Sequence, residues 1–148
     1  MSIEDDIALL ERVPTLRLLG SESLRMLAIG SEQRNVEGGD ALFREGDTAD
    51  CGYVVQRGAL RVNDGGGAEI VAGPGALIGE LALVVEMKRP ASAVALEHST
   101  VVRISRSLFQ RVLESDPLSA LRLRDEFAKR ANRVAGDIKL AGSRFTPD

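Results

Sequence analysis

The residues of this chain whose types and spacing can do chemistry together lie in one run. It reads Gly79-Glu80-Leu81-Ala82-Leu83-Val84-Val85-Glu86-Met87-Lys88-Arg89-Pro90-Ala91-Ser92-Ala93. A glycine followed by Glu80–Leu83 predicts a short helical turn among strands, and a helix N-terminus exposes unpaired N–H groups that suit an anion. Nine residues after Glu80 stands Arg89, whose guanidinium can hold phosphate oxygens bidentately. Ala91 and Ser92 add a backbone N–H and a hydroxyl. A carboxylate beside an otherwise cationic anion site points to a ligand that also brings a hydroxyl donor, as a ribose does. Together these pieces describe a pocket for a sugar phosphate. Taken singly, each has a plainer reading: Glu80 as a carboxylate favoured by the helix dipole, Arg89 as the partner of Glu80 or Glu86.

Other chemistries find little support. The single cysteine, Cys51, has no partner for an internal disulfide, which points to a reducing, cytoplasmic setting. The single histidine, His98, sits in Glu97-His98-Ser99, a surface turn, and cannot build a His/Cys zinc site with Cys51 alone. No catalytic triad and no metal site are expected, so the chain does not read as an enzyme. A phosphodiesterase would need a metal-ligand cluster. The net charge of −3 disfavours the whole chain as a DNA binder, and five aromatics are thin for a base-stacking platform. The longest apolar runs, such as Leu81–Val85, fall far short of the ~20 residues of a membrane span. The acidic start, Glu4-Asp5-Asp6, is unlike a signal peptide.

The elements around the run follow from periodicity. Ile3, Ile7 and Leu10 share one helical face, and Pro14 and Gly20 punctuate its exit. Ser21 is the expected N-cap of a second helix through Leu24, Leu27 and Ala28, ending near Gly30. Short β-branched runs follow at Ala41–Phe43, Tyr53–Val55, Leu60–Val62, Ile70–Ala72, Ala93–Leu96 and Val101–Ile104. Glycine-rich turns separate them, with Asn63–Gly67 the expected hairpin loop. Short strands at close spacing predict an antiparallel sandwich or barrel. After Ser105, Leu108, Val112 and Leu113 line a short helix. Asp116-Pro117 then reads as an N-cap and first-turn proline, opening a long helix to about Leu140.

With these elements in order, the chain resembles the cyclic nucleotide-binding domain family. That family includes catabolite activator proteins, regulatory subunits of cyclic AMP-dependent kinase and cyclic nucleotide-gated channels. The family's phosphate-binding cassette runs Gly-Glu-Leu-Ala-Leu, a spacer, then Arg-x-Ala-Ser/Thr, and all of it is met between Gly79 and Ser92. Phe43-Arg44-Glu45-Gly46-Asp47 resembles the family's early strand and turn. Tyr53-Val54-Val55 with Gly58-Ala59-Leu60-Arg61-Val62 resembles its central hairpin, and Gly73-Pro74-Gly75 the entry to the cassette. The likeness spans roughly Leu9 to Leu140.

The resemblance implies a mainly β chain with flanking helices (α+β): an eight-stranded antiparallel β-roll of the double-stranded β-helix or jelly-roll kind. It implies one domain over 1–148, with N-terminal helices at 1–33, the β-roll at 34–105 and the cassette at 79–92. C-terminal helices at 106–141 and a tail at 142–148 complete it. It implies that Glu80 accepts from the ribose 2′-hydroxyl and that Arg89 pairs with the cyclic phosphate. Gly79, Leu81, Ala82 and Ala91 would present N–H groups, and Ser92 its hydroxyl. Val71, Leu77 and Ile78 would line the base and sugar. Pro90 departs from the pattern, where Ala, Ser or Thr is commoner. It offers neither hydroxyl nor N–H, which leans toward cyclic AMP over cyclic GMP. The ligand would be a cyclic nucleotide and no cofactor is needed.

Residues 117–141 carry a net charge of +3 against −6 for residues 1–116. The helix they form is the one candidate face for an acidic partner, or else a solvated face balancing an acidic β-roll. Ala120, Arg124, Phe127, Ala131, Val134, Ile138 and Ala141 step by four and three, a heptad seam that would support a homodimer. The alternative is that Phe127 and its neighbours cover the chain's own β-roll; the resemblance also implies that this helix caps the base, which would bring Arg130 or Arg133 within its reach. The overall expectation is a stand-alone sensor that signals through its C-terminal helix. No helix-turn-helix follows in this sequence, so direct DNA reading is not expected. The rival is a nucleotide-free β-roll acting as a scaffold for an unidentified protein partner.

Overall fold

The computed structural model describes residues 2–63, 69–126 and 129. Two N-terminal helices, α1 (Ile3–Glu11) and α2 (Ser21–Gly30), flank a 3-10 turn at Leu16–Leu18. Ten strands follow: β1 (Glu32–Val36), β2 (Ala41–Phe43), β3 (Thr48–Ala49), β4 (Cys51–Arg57), β5 (Leu60–Asn63), β6 (Glu69–Ala72), β7 (Leu77–Ile78), β8 (Met87–Lys88), β9 (Ser92–Ala95) and β10 (Ser99–Ser105). A 3-10 turn, Glu80–Leu83, separates β7 from β8. Helix α3 (Arg106–Ser115) and a further helix, α4, over residues 117–126 close the described chain.

The strands form two four-stranded sheets, ordered β1-β10-β4-β7 and β2-β9-β5-β6, plus the small pair β3-β8. Every pairing is antiparallel. The strand count exceeds the expected eight. The four strands beyond the six apolar runs of the sequence are short or polar: β3, β7 and β8 have two residues each, and β1 is Glu-Gln-Arg-Asn-Val with four exposed positions. Pairing with β10 over its whole length holds β1 in place, where its own composition gives no strand signal.

Side-chain alternation along β4 builds two cores. Cys51, Tyr53 and Val55 point between the sheets, into a cluster with Phe43, Leu60, Ala72, Ile78, Ala93 and Val101. Val54 points the other way and meets Val102, Ile104 and the helices, where Leu10, Leu16, Leu27, Phe109 and Val112 are fully buried. β4 is thus buried on both faces. Gly52 sits on the helical side, where an added Cβ would lie 3.2 Å from the Leu83 side chain. That close approach seats the Glu80–Leu83 turn on the sheet.

The expected N-cap Ser21 is instead the first residue of α2. The cap is Gly20, which makes no side-chain cap bond of its own. Asp116 supplies it from the far end of the chain: Oδ2 accepts from the Gly20 N–H at 3.4 Å and the Ser23 hydroxyl at 2.9 Å. Oδ1 accepts from the Ser119 N–H at 3.3 Å, capping α4 as the Asp-Pro pair predicts. Hydrogen bonding from Ser119, then from Ser23 and Gly20, holds the Asp116 carboxyl below its ordinary value, against the opposing effect of burial. A depressed carboxyl stabilises the fold above its unfolded pKa, and the contribution is lost as pH falls through the folded value. Asp116→Ala is therefore expected to cost about 1 kcal/mol at pH 7. The gap in melting temperature to wild type should close as the pH is lowered through 4 toward 3. An equal gap at both ends of that range would rule out the carboxylate as the cause.

Within α4, Leu123 is buried in the helix-side core and Ser119 beside it, while Leu118 and Leu121 are exposed. Of the heptad positions, Ala120 is half-buried and Arg124 exposed. Phe127, Ala131, Val134, Ile138 and Ala141, with Arg130 and Arg133, lie outside the described residues, as do residues 64–67 of the hairpin loop expected at Asn63–Gly67.

Candidate functional site

Arg89 is fixed first by its backbone. Its N–H donates to Asp47 O at 2.7 Å and its carbonyl accepts from Gly46 N at 2.8 Å, extending the β3-β8 ladder. The side chain then turns into the β-roll and is only 4% exposed. Nη2 donates to Cys51 O at 2.9 Å and lies 3.2 Å from Cys51 Sγ. The guanidinium carbon stands 4.2 Å over the Phe43 ring centroid and 5.7 Å from that of Tyr53. The two rings stack at 6.0 Å, making an aromatic bed for a cation. Burial, with help from Cys51, raises the Tyr53 phenol above its ordinary value against the pull of Arg34 and Arg89, so the bed carries no charge.

Two features set this arginine apart. Nε is buried and has no hydrogen-bond acceptor among the described residues. Among the described residues no carboxylate lies within ion-pair distance of the guanidinium, so Arg89 is the partner of neither Glu80 nor Glu86. A buried charge without a counter-charge is costly, and the group that would offset it is an anion.

Gly79 meets the guanidinium directly. It caps the Glu80–Leu83 turn with φ +76°, and a Cβ there would collide with Arg89 Nη1. Glu80, half-buried, accepts a hydrogen bond from Thr15 Oγ1 at 2.8 Å. Leu81 is 36% exposed. The N–H of Ala82, which the resemblance has facing the ligand, donates instead to Gly79 O at 3.2 Å and closes the turn. The short i→i+3 pitch of a 3-10 helix uses that donor. Ser92 Oγ accepts from the Glu45 N–H at 2.8 Å, tying the cassette's end to the β2–β3 turn. Ala91 is half-buried and Pro90 exposed.

The three expected lining residues part company. Ile78 is buried beside Tyr53 in the inter-sheet cluster. Leu77, one residue earlier, packs on the helix-side core. Val71 is 64% exposed and pairs with Arg61 on β5. It alternates away from Ala72, which is in the inter-sheet cluster. The fold therefore does not bring Leu77 or Val71 to Arg89. Ile70 shares the Ala72 side of β6 by alternation, pairs with Val62 and is 67% exposed.

Besides Thr15, sequence reasoning passed over three partners. Phe43 and Cys51 reach Arg89 from β2 and β4, and the only sequence signal for Cys51 is its parity with Tyr53 and Val55. Arg106, the first residue of α3, donates from Nε to Ala82 O at 2.8 Å and from Nη2 to Ala49 O. It bolts α3 to the turn.

An antiparallel β-roll whose glycine-opened turn faces a buried arginine with no carboxylate partner among the described residues is the architecture of a ligand-binding regulatory module. The chain belongs to the cyclic nucleotide-binding domain family, whose model matches residues 33–116. It is 31% identical over 111 residues to the cAMP-dependent protein kinase regulatory subunit of Eremothecium gossypii, covering 75% of this chain and 24% of that one. The chain thus spans about a quarter of that relative's length. A cyclic nucleotide-binding-like protein from Brucella abortus superposes with a TM-score of 0.65 at 40% identity, covering 74% of this chain and 98% of its own. The regulatory domain of Toxoplasma gondii PKA, solved with cAMP, superposes with a TM-score of 0.68 at 27% identity, covering 74% and 44%. Among the described residues no helix is long and apolar enough to cross a membrane.

Proposed function

We propose that this chain is a single regulatory domain that binds a cyclic nucleotide, cyclic AMP in preference to cyclic GMP, in the cytoplasm, and performs no chemistry of its own. The observation that carries the reading is Arg89: a buried guanidinium whose Nε has no acceptor, and which has no carboxylate partner, among the described residues, set against the Gly79 turn. Arg89 takes the cyclic phosphate, Glu80 the ribose hydroxyl, and N–H groups around Gly79, Leu81 and Ala91 complete the anion site with Ser92. Ile78 and, in place of Val71, Ile70 line the base. The cAMP-bound kinase domain of similar fold supports the ligand class. Pro90, without a hydroxyl for guanine, supports the adenine preference.

The signal leaves through the C-terminal helices. Arg106 joins the turn to α3, and Asp116 joins α3's end to α2 and α4. A ligand that moves the turn shifts this linked set between two states of different affinity, and a homodimer through the helix beyond 117 is one receiver of that shift. Calorimetric titration of cyclic AMP and cyclic GMP into the protein is expected to give micromolar or tighter binding, tighter for cyclic AMP. Ligand at ~100 times Kd should add about 2.7 kcal/mol of stability on melting. No heat and no melting shift with either nucleotide would remove the sensor reading and leave the scaffold.

A further inference from the structure

Thr15 lies 65 residues before Glu80 and touches it. Its side chain is buried, the residue being 2% exposed, and its hydroxyl donates to Glu80 Oε2 at 2.8 Å. The backbone beneath it is fixed: Val13 and Leu16, fully buried in the helix-side core, bracket it. Thr15 O also accepts from Leu18 N at 3.3 Å. The hydroxyl is therefore delivered to the carboxylate by a rigid segment rather than by a mobile surface chain. A carboxylate has about four acceptor positions, and the bond from Thr15 fixes the orientation of the oxygen that accepts it. A carboxylate turned by a fixed donor accepts from a ligand hydroxyl in one geometry, and that preorganisation is what discrimination between a hydroxyl and a hydrogen needs.

We propose that Thr15 is a positioning residue of the nucleotide pocket: it sets Glu80 so that a ribose is preferred to a 2′-deoxyribose. The inference rests on the reading of Glu80 as acceptor of the ribose hydroxyl. It makes the segment between α1 and α2 part of the pocket's specificity, although no atom of it need touch ligand.

The test compares cyclic AMP with 2′-deoxy cyclic AMP by calorimetry on wild type, Thr15→Val, Thr15→Ala and Thr15→Ser, each checked for folding by melting. Valine keeps the shape, alanine removes the hydroxyl without strain, and serine restores the donor. The expected result is a roughly tenfold loss of cyclic AMP affinity for valine and alanine, the scale of one hydrogen bond to a charged group. The deoxy analogue should be little changed, and serine should return to wild-type discrimination. Equal losses for both nucleotides, or no loss for either, would overturn the positioning role while leaving the sensor intact. Wild type that binds neither nucleotide would overturn the sensor reading and the inference with it.

Discussion

Arg89→Met is expected to abolish cyclic nucleotide binding while leaving the fold as stable as wild type, or more so. The first half follows from the phosphate contact: truncating a charge-assisted contact in a desolvated site costs roughly 2–5 kcal/mol, at least about 30-fold in affinity. The second half follows from what Arg89 does in the folded chain. It is buried with Nε unsatisfied and without a carboxylate, so folding carries a desolvation cost that only partly returns through Cys51 and the Phe43 ring. A cation over an aromatic face contributes on the order of 0.5–2 kcal/mol. Replacing a buried charge by an apolar side chain of similar volume is commonly neutral or stabilising. Methionine fills the same channel over Phe43 and needs no acceptor. Titration and thermal melting of the one variant read both halves. A melting temperature well below wild type would show that Arg89 holds the roll together. Retained binding would show that the phosphate lies elsewhere.

This arginine also marks where sequence reasoning stops. The cassette's order, the 3-10 turn, the strand runs of the roll and the Asp116-Pro117 cap are all readable, because each is encoded by neighbours in the chain. Features encoded across the chain are not. β1 is polar at four of five positions and becomes a strand only because β10 offers a full ladder. The α2 cap is missing locally at Ser21 and arrives from Asp116. Leu77 and Val71 satisfy an apolar pattern, yet period-2 alternation turns each away from the guanidinium, and a one-residue difference in register decides such cases. The partners of Glu80 and Arg89, Thr15 and Phe43, lie 65 and 46 residues away, and nothing in their own surroundings announces them. The residues proposed to recognise the ligand are close neighbours in the sequence; the residues that hold them are not.

Gly79→Ala is expected to damage both binding and stability, and the two losses separate by cause. Gly79 has φ +76°, where an alanine costs about 1–2 kcal/mol through its Cβ alone. That part is paid by the backbone whatever stands nearby. The second part is steric: the new Cβ runs into Arg89 Nη1. Nη1 is the far end of a flexible side chain, so the guanidinium can give way without unfolding the roll. In giving way it leaves the position from which it faces the turn. The expected result is a melting loss of about 3–8 °C for a domain of this size and a loss of cyclic AMP affinity of at least about 30-fold, matching the loss on removing the arginine. The two substitutions should be non-additive, as for any two groups in contact. In an Arg89→Met background, methionine bends aside at little cost, so Gly79→Ala should show the backbone part of the melting loss and no further effect on binding. Additive effects in the double variant would mean that the turn and the guanidinium act independently, and that Gly79 serves the turn's conformation alone.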